Sequence, residues 1–219
     1  MTELYFGTTD AFEVPEFQNR RVIDEIHMVM SAFDCVLPDD TGIYCSSDIT
    51  TGKRFYFEFL LSHRVRSDEE LKRQVGEEKY KDLKNELIQA NVARGLGFTE
   101  KLRERGLTNL VNPGPFFARG FDQQHYLYLW EWVIIKKIYQ AYFNENWQYS
   151  NGCTLEYAIA TRKGIPRFDN LGNDLGLRQA IMMVEAAVDE LKGKGLIVSK
   201  LEHNLTLLTG LVNKFYKES

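Results

Sequence analysis

The amino-acid sequence predicts an α/β fold, with a Rossmann-like parallel sheet covered by helices on both faces. The first observation is that short β-prone segments alternate with longer segments of helical periodicity along the 219 residues. The second is that turn residues bound Thr41 to Cys45, as expected of a short buried strand. The third is that polar loops follow the strands, at the edge where such sheets bind ligands.

Each element follows from a local pattern. In the first predicted helix, residues 18–33, apolar residues recur at helical spacing. Gly106 is a helix stop, and Pro113-Gly114-Pro115 closes a strand. After the first helix the predicted elements are strand 41–45, polar loop 46–52, helix 53–61, charged helical segment 63–90, helix 98–105, strand 107–112, aromatic helix 122–137, strand 138–144, helix 152–163, extended segment 165–168, helix 177–192 and a last helix within 196–216.

These elements predict three regions. Residues 1–40 are expected to form an N-terminal helical extension, and residues 196–219 a C-terminal helix. Between them, residues 41–195 form the α/β domain, in which residues 63–96 are a charged helical insertion.

Composition limits the classes of function. A net charge of −4 argues against binding of a nucleic acid polymer, although backbone N–H groups can still hold one phosphate. The three cysteines, Cys35, Cys45 and Cys153, lack metal-binding spacing, so a structural zinc is not expected. The function inferred below from the motifs implies no metal and no organic cofactor. Charged residues interrupt the apolar run 126–143, which excludes it as a membrane span. With no signal peptide apparent, a cytoplasmic protein with no membrane partner is expected.

The segment 150–160 contains the most informative motif. It predicts a tight turn followed by the first turns of a helix, with Ser150, Gly152 and Glu156 close together. A helix amino end favours an anion, and a neighbouring carboxylate could attack a sugar carbon whose phosphate is held there. Taken singly, Glu156 could be a solvated surface residue and Ser150 a helix cap.

Three segments carry a resemblance to a known family. They are residues 44–52 after the first strand, Asn112-Pro113 after the second, and Ser150-Asn151-Gly152 with Glu156 and Ala160 after the third. In this order the chain resembles the nucleoside 2-deoxyribosyltransferase-like superfamily over roughly residues 41–192. The resemblance is to the branch of nucleoside 5′-monophosphate N-glycosidases.

The resemblance implies roles for individual residues. Glu156 matches the nucleophile, and Tyr44 matches an aromatic hydroxyl near the nucleophile and the sugar. Ser150 and Gly152 match the phosphate-binding positions. The loop residues Ser47, Asp48, Ile49 and Thr50 match the loop that would line the base and phosphate. Where the family has an Asp that orients the ribose, this sequence departs from the pattern and offers Glu131 or Asp122.

The implied function is cleavage of the bond between base and sugar in a nucleoside 5′-monophosphate, through a glycosyl-enzyme intermediate. The resemblance also implies a homodimer or higher homo-oligomer. The alternatives are deoxyribosyl transfer between bases, cleavage of a dinucleotide such as NAD, and nucleotide sensing without catalysis. A structural or interaction role for the charged insertion and the aromatic helix is a further alternative.

Overall fold

Four parallel strands form one sheet in this computed structural model, which describes residues 20–215. In chain order they are β1 Gly42–Ser46, β2 Leu110–Val111, β3 Ile138–Phe143 and β4 Arg167–Phe168. Their spatial order is β2-β1-β3-β4, so β1 and β3 form the centre of the sheet. Because all neighbours are parallel, their carboxyl ends meet at one edge.

Helices connect and flank these strands. Within the described residues the longer ones are α1 Arg20–Val36, α2 Asp68–Val75, α3 Glu77–Glu104, α4 Gln123–Lys137, α5 Asn151–Lys163, α6 Leu177–Gly193 and α7 Ser199–Phe215. Shorter helical turns occupy Phe55–Leu60, Leu61–His63 and Trp147–Tyr149. The predicted α/β class is confirmed, including its N-terminal and C-terminal helices.

Side chains of the central strand β1 alternate between two cores. Ile43 and Cys45 pack in a smaller core with Phe98 and Leu102 of α3. Tyr44, on the opposite face, belongs to the larger core, to which α1, α4, α5, α6 and α7 contribute. Helices therefore cover both faces, and this accounts for the burial of every residue of β1.

The aromatic helix α4 and the strand β3 lie where the sequence predicts them. The Asp122 side chain accepts hydrogen bonds from the first-turn N–H groups of Gln124 and His125, which starts α4. The buried Lys137 at its end pairs with Asp34 at 2.6 Å and Asp39 at 2.5 Å. The charge within the apolar run is thus satisfied inside the fold.

The charged segment differs from the prediction. Residues 77–104 form one helix of 28 residues, whereas the sequence pattern predicts a charged segment followed by a separate helix at 98–105. The segment contains no proline, and Gly95 and Gly97 each cost only about 1 kcal/mol relative to alanine. The helix therefore continues across the change in composition, and its second half packs against β1.

The two ends of the described chain are helical. The predicted first helix continues to Val36, and its first two residues, 18–19, lie outside the described residues, as do the rest of the N-terminal extension before residue 20 and residues 216–219. The C-terminal helix α7 packs against α5 and α6. Every helix between residues 20 and 215 is too short or too polar to cross a lipid bilayer.

Candidate functional site at the carboxyl edge of the sheet

The Glu156 carboxylate lies at the centre of a hydrogen-bonded group between α5 and β1. The Tyr44 hydroxyl donates to Glu156 Oε1 at 2.9 Å, and the Ser46 hydroxyl donates to Oε2 at 2.6 Å. Both donors are fully buried, while Glu156 is half-buried. The structure therefore brings together the sequence-predicted pair Tyr44 and Glu156, and adds a second donor.

Strand geometry explains why two hydroxyls reach one carboxylate. Residues two apart on a strand face the same side, so Tyr44 and Ser46 both point towards α5. Ser46 was not among the predicted site residues, although the period of two from Tyr44 is the signal that could have found it. The β1 strand ends at Ser46. The carboxylate therefore sits at the carboxyl edge of the sheet, where ligands bind in this class of fold.

Burial and hydrogen bonds act in opposite directions on the carboxyl group. Burial raises the pKa of Glu156 above its ordinary value, while the hydrogen bonds from Ser46 and Tyr44 partly offset that rise. Burial, followed by the nearby Glu156 charge, raises the pKa of Tyr44 well above its usual range. The Tyr44 hydroxyl therefore keeps its proton at neutral pH and remains a hydrogen-bond donor.

The amino end of α5 lies next to this group. Ser150 caps the helix, because its Oγ accepts from the Cys153 N–H at 3.4 Å, and the Thr51 hydroxyl accepts from the Asn151 N–H at 3.1 Å. The exposed Gly152 N–H has no acceptor among the described residues. One backbone donor at a helix amino end thus faces outward beside Ser150.

The C-terminal helix holds this first turn of α5. Asn204 of α7 donates from Nδ2 to the Asn151 carbonyl at 2.9 Å and to Thr154 Oγ1 at 2.7 Å. Only 6% of Asn204 is exposed, so both hydrogen bonds are shielded from water. This contact could not be predicted from local patterns, because α7 follows α5 by more than thirty residues.

The predicted loop residues after β1 divide between a buried part and an exposed part. Ser47 and Asp48 are buried, Ile49 is half-buried and Thr50 is exposed. Asp48 Oδ1 forms an ion pair with Arg94 Nη2 of α3. Neither Arg94 nor α3 was assigned to the site from the sequence.

The structure places the predicted ribose-orienting residue elsewhere. Glu131 is fully buried in α4, and its Oε1 lies 4.0 Å from Arg162 Nη2. Arg162 follows Glu156 by six residues on α5, about 9 Å further along the helix axis. The other option, Asp122, is an exposed cap of α4. Glu131 therefore belongs to the contact between α4 and α5 and not to the hydrogen-bonded group at Glu156.

An apolar groove of about 370 Å³ runs beside the edge strand β2. Asn112, Phe116 and Trp130 contribute to its lining, and the Trp130 ring lies 6.4 Å from the ring of Tyr44. Trp130 also packs edge-on against Phe116 at 5.5 Å. The Tyr44 ring is thus part of a cluster of packed aromatic rings.

Two further observations concern a metal site and similarity to known proteins. Across residues 20–215, no three His, Cys, Asp or Glu side chains are grouped to hold a metal ion. Comparisons with protein-family models, curated proteins and solved structures found no match to this chain.

Proposed function

We propose that this protein is an N-glycosidase that cleaves the bond between base and sugar in a nucleoside 5′-monophosphate, with Glu156 as nucleophile. One observation carries the proposal: two hydroxyl donors hold the half-buried Glu156 carboxylate at the carboxyl edge of a parallel sheet. A surface glutamate has no need of two fully buried partners. The resemblance over residues 41–192 supplies the reaction class.

The chemistry proceeds in two displacements. A carboxylate oxygen of Glu156 attacks the anomeric carbon, and the C–N bond breaks with its electron pair leaving on the base. The base takes a proton from solvent, because the raised pKa of Tyr44 makes that hydroxyl a poor acid. Water then adds its hydroxyl to the anomeric carbon and releases a proton, which frees the sugar phosphate and restores the Glu156 carboxylate.

Tyr44 and Ser46 fix the direction of the nucleophile. Each donates to a different oxygen, so the carboxylate cannot rotate without losing both hydrogen bonds. These hydrogen bonds also favour the ionised form that attack requires, against the effect of burial.

The phosphate is assigned to the amino end of α5. The Ser150 Oγ accepts from the Cys153 N–H, and the next residue but one, Gly152, is exposed. A Cβ at Gly152 would lie 3.8 Å from Ser150 Oγ, so the two residues are neighbours at this helix end. A phosphate there gains from the helix dipole as well as from the hydrogen bonds.

The test is product analysis with matched variants. The protein is incubated with ribo- and deoxyribonucleoside 5′-monophosphates, the free nucleosides and NAD, and free base is measured by chromatography. Glu156→Gln is expected to lower the rate by about 10³-fold or more. Glu190→Gln is the control, because Glu190 also accepts from a tyrosine, Tyr149, at 2.5 Å but on α6.

The outcomes separate the alternatives. Free base from a monophosphate with wild type and Glu190→Gln, but not with Glu156→Gln, supports the proposal. A new nucleoside after addition of a second base indicates transfer, and nicotinamide release indicates a dinucleotide substrate. Full activity of Glu156→Gln refutes the role of that residue. The homodimer belongs to the same proposal and is tested by light scattering.

A further inference from the structure

Helix α3 contacts the loop after β1 through one face. Asn91 Nδ2 donates to the Ile49 carbonyl at 3.0 Å. Four residues further, a Cβ at Gly95 would lie only 3.2 Å from Ser47 Cβ, so the helix backbone approaches the loop closely. Arg94 shares this face, since positions three and four apart are neighbours on a helix. The charged helix is therefore docked on the candidate site.

Several polar atoms at this contact are buried without a hydrogen-bond partner among the described residues. They belong to four neighbouring side chains: Ser47 Oγ, Asp48 Oδ2, Asn91 Oδ1 and Arg94 Nε. Ser47, Asp48 and Asn91 are each more than nine-tenths buried. A buried polar group without a hydrogen-bond partner lowers the stability of the fold. A cluster of such groups beside the carboxyl edge of the sheet therefore indicates a candidate binding place for a polar group of a ligand.

The charge at this cluster is directed outward. Only 2% of the Asp48 side chain is exposed, against 33% for Arg94, so the guanidinium lies between the buried carboxylate and solvent. Two other cations lie on the loop side. Arg54 pairs with Glu58 at 2.9 Å and is within electrostatic reach of Asp48, and Lys53 lies over the rings of Phe57 and Tyr149. Arg94 is the cation that forms a direct ion pair with Asp48.

The loop connects this cluster to the amino end of α5. A Cβ at Gly52 would collide with Asp48 Oδ2, and the adjacent Thr51 accepts from the Asn151 N–H at 3.1 Å. Burial raises the pKa of Cys153, and the charges of both Glu156 and Asp48 raise it further. Both carboxylates are therefore within electrostatic reach of Cys153 in the first turn of α5.

We propose that Arg94 contacts the phosphate group of the ligand held at the start of α5, and that Asp48 is the positioning residue that holds the guanidinium there. A guanidinium offers five donors, of which Asp48 Oδ1 engages one nitrogen, and its planar fork suits phosphate oxygens. The proposal rests on the proposed function for the nature of the ligand, a sugar phosphate.

Binding of ribose 5-phosphate, measured by calorimetry against ribose, tests the proposal without requiring turnover. Arg94→Gln is expected to weaken ribose 5-phosphate binding about 10- to 100-fold, as for loss of a hydrogen bond to a charged group. Arg94→Lys should recover part of the affinity, because it keeps the charge without the fork. Arg103→Gln is the matched control, since Arg103 is an exposed arginine of the same helix paired with Glu100.

A second variant covers the case in which Arg94→Gln leaves the buried Asp48 charge unpaired and the protein unfolds. The double variant Asp48→Asn/Arg94→Gln removes both charges, and it should fold and bind ribose 5-phosphate as weakly as the single variant. Wild type that does not bind ribose 5-phosphate overturns the proposal, as does an unchanged affinity in the folded double variant. Arg94-dependent binding without base release would uphold the proposal and refute the glycosidase.

Discussion

Removal of the Ser46 hydroxyl tests whether Glu156 is held as a carboxylate. Ser46→Ala deletes the shorter of the two hydrogen bonds to that side chain, 2.6 Å against 2.9 Å for Tyr44. A hydrogen bond to a charged group contributes about 1.5–3 kcal/mol, and one between neutral groups about 0.5–1.5 kcal/mol. The Ser46 bond should therefore lose about 1 kcal/mol or more when Glu156 becomes neutral.

A double-mutant cycle measures that difference. The free energy of unfolding in urea is determined for wild type, Ser46→Ala, Glu156→Gln and the double variant at pH 8. The Cys153 contact of Ser46 is lost equally in both backgrounds and cancels from the cycle. A coupling energy of about 1 kcal/mol or more is expected at pH 8, with a smaller value at pH 4, where Glu156 is protonated.

The result that would refute this reasoning is additivity. If the two single effects sum to that of the double variant within about 0.3 kcal/mol at pH 8, the hydroxyl does not interact with a carboxylate. The Tyr149–Glu190 pair serves as a reference, because its 2.5 Å hydrogen bond joins α6 to the turn before α5. Its own cycle, with Tyr149→Phe and Glu190→Gln, shows the coupling of a tyrosine–glutamate pair without a serine donor.

Three further predictions follow from the same contacts. Burial raises the pKa of Glu156 in the folded state above the ordinary 4.5, so folding takes up a proton at this group. The free energy of unfolding of Glu156→Gln relative to wild type should therefore increase as the pH rises through 4.5, and it should level off above the folded-state pKa. A difference between the two proteins that does not change with pH in urea unfolding would contradict this. Asn204→Leu should lower the free energy of unfolding, measured in urea, by about 1–3 kcal/mol, because the start of α5 loses its hydrogen-bond donor. The control is His203→Leu at the adjacent exposed position, which should change the stability very little. Gly52→Ala should lower the free energy of unfolding by about 1–3 kcal/mol, because the φ of Gly52 is +139° and the new methyl group meets the Asp48 carboxyl. Gly193→Ala on α6 is the control, since a methyl group there meets open space. Equal stability of the two variants would show that the loop relaxes.

Local sequence patterns pointed to Glu156, whereas Tyr44 was indicated by the family resemblance; the structure joins the two side chains by a hydrogen bond of 2.9 Å. A polar loop after a buried strand, and a helix that begins with Ser and Gly, identify the ligand-binding edge without knowledge of packing. Ser46 could have been found in the same way, since it faces the same side of β1 as Tyr44. These parts of the site are encoded within a few residues of each other on each element.

The contact of Arg94 with Asp48 could not be predicted from the sequence, and the reason is physical. Most faces of α3 are charged and exposed to solvent, so the composition of the helix hides the buried stripe that begins at Leu87 and continues through Asn91. Which arginine of such a helix points inward depends on how the helix docks, and that is decided by Phe98 and Leu102 packing on β1. Asn91 and Gly95, four residues apart on the face that also carries Leu87 and Phe98, are the available signal.

The ion pair between the buried Glu131 and Arg162 could not be predicted from the sequence either. Acidic residues in an apolar helix suggest a functional role, but burial requires a partner, and the nearest cation is Arg162 on the neighbouring helix. Sequence reasoning had no means to pair the two, because contacts between α4 and α5 depend on the crossing of two helices. A buried charge therefore indicates function only after its partner has been located.

The loop after β1 links the two halves of the site. Ser46, the last residue of β1, is bonded to Glu156, whereas the next residue, Ser47, packs at Gly95 of α3. Further along the loop, the Thr51 hydroxyl accepts from the Asn151 N–H of α5. Movement of α3 would therefore displace the donor to the nucleophile as well as Arg94. A site built on two helices and one strand end keeps its geometry only while α3 stays docked, so the charged helix and the nucleophile should form one cooperative unit.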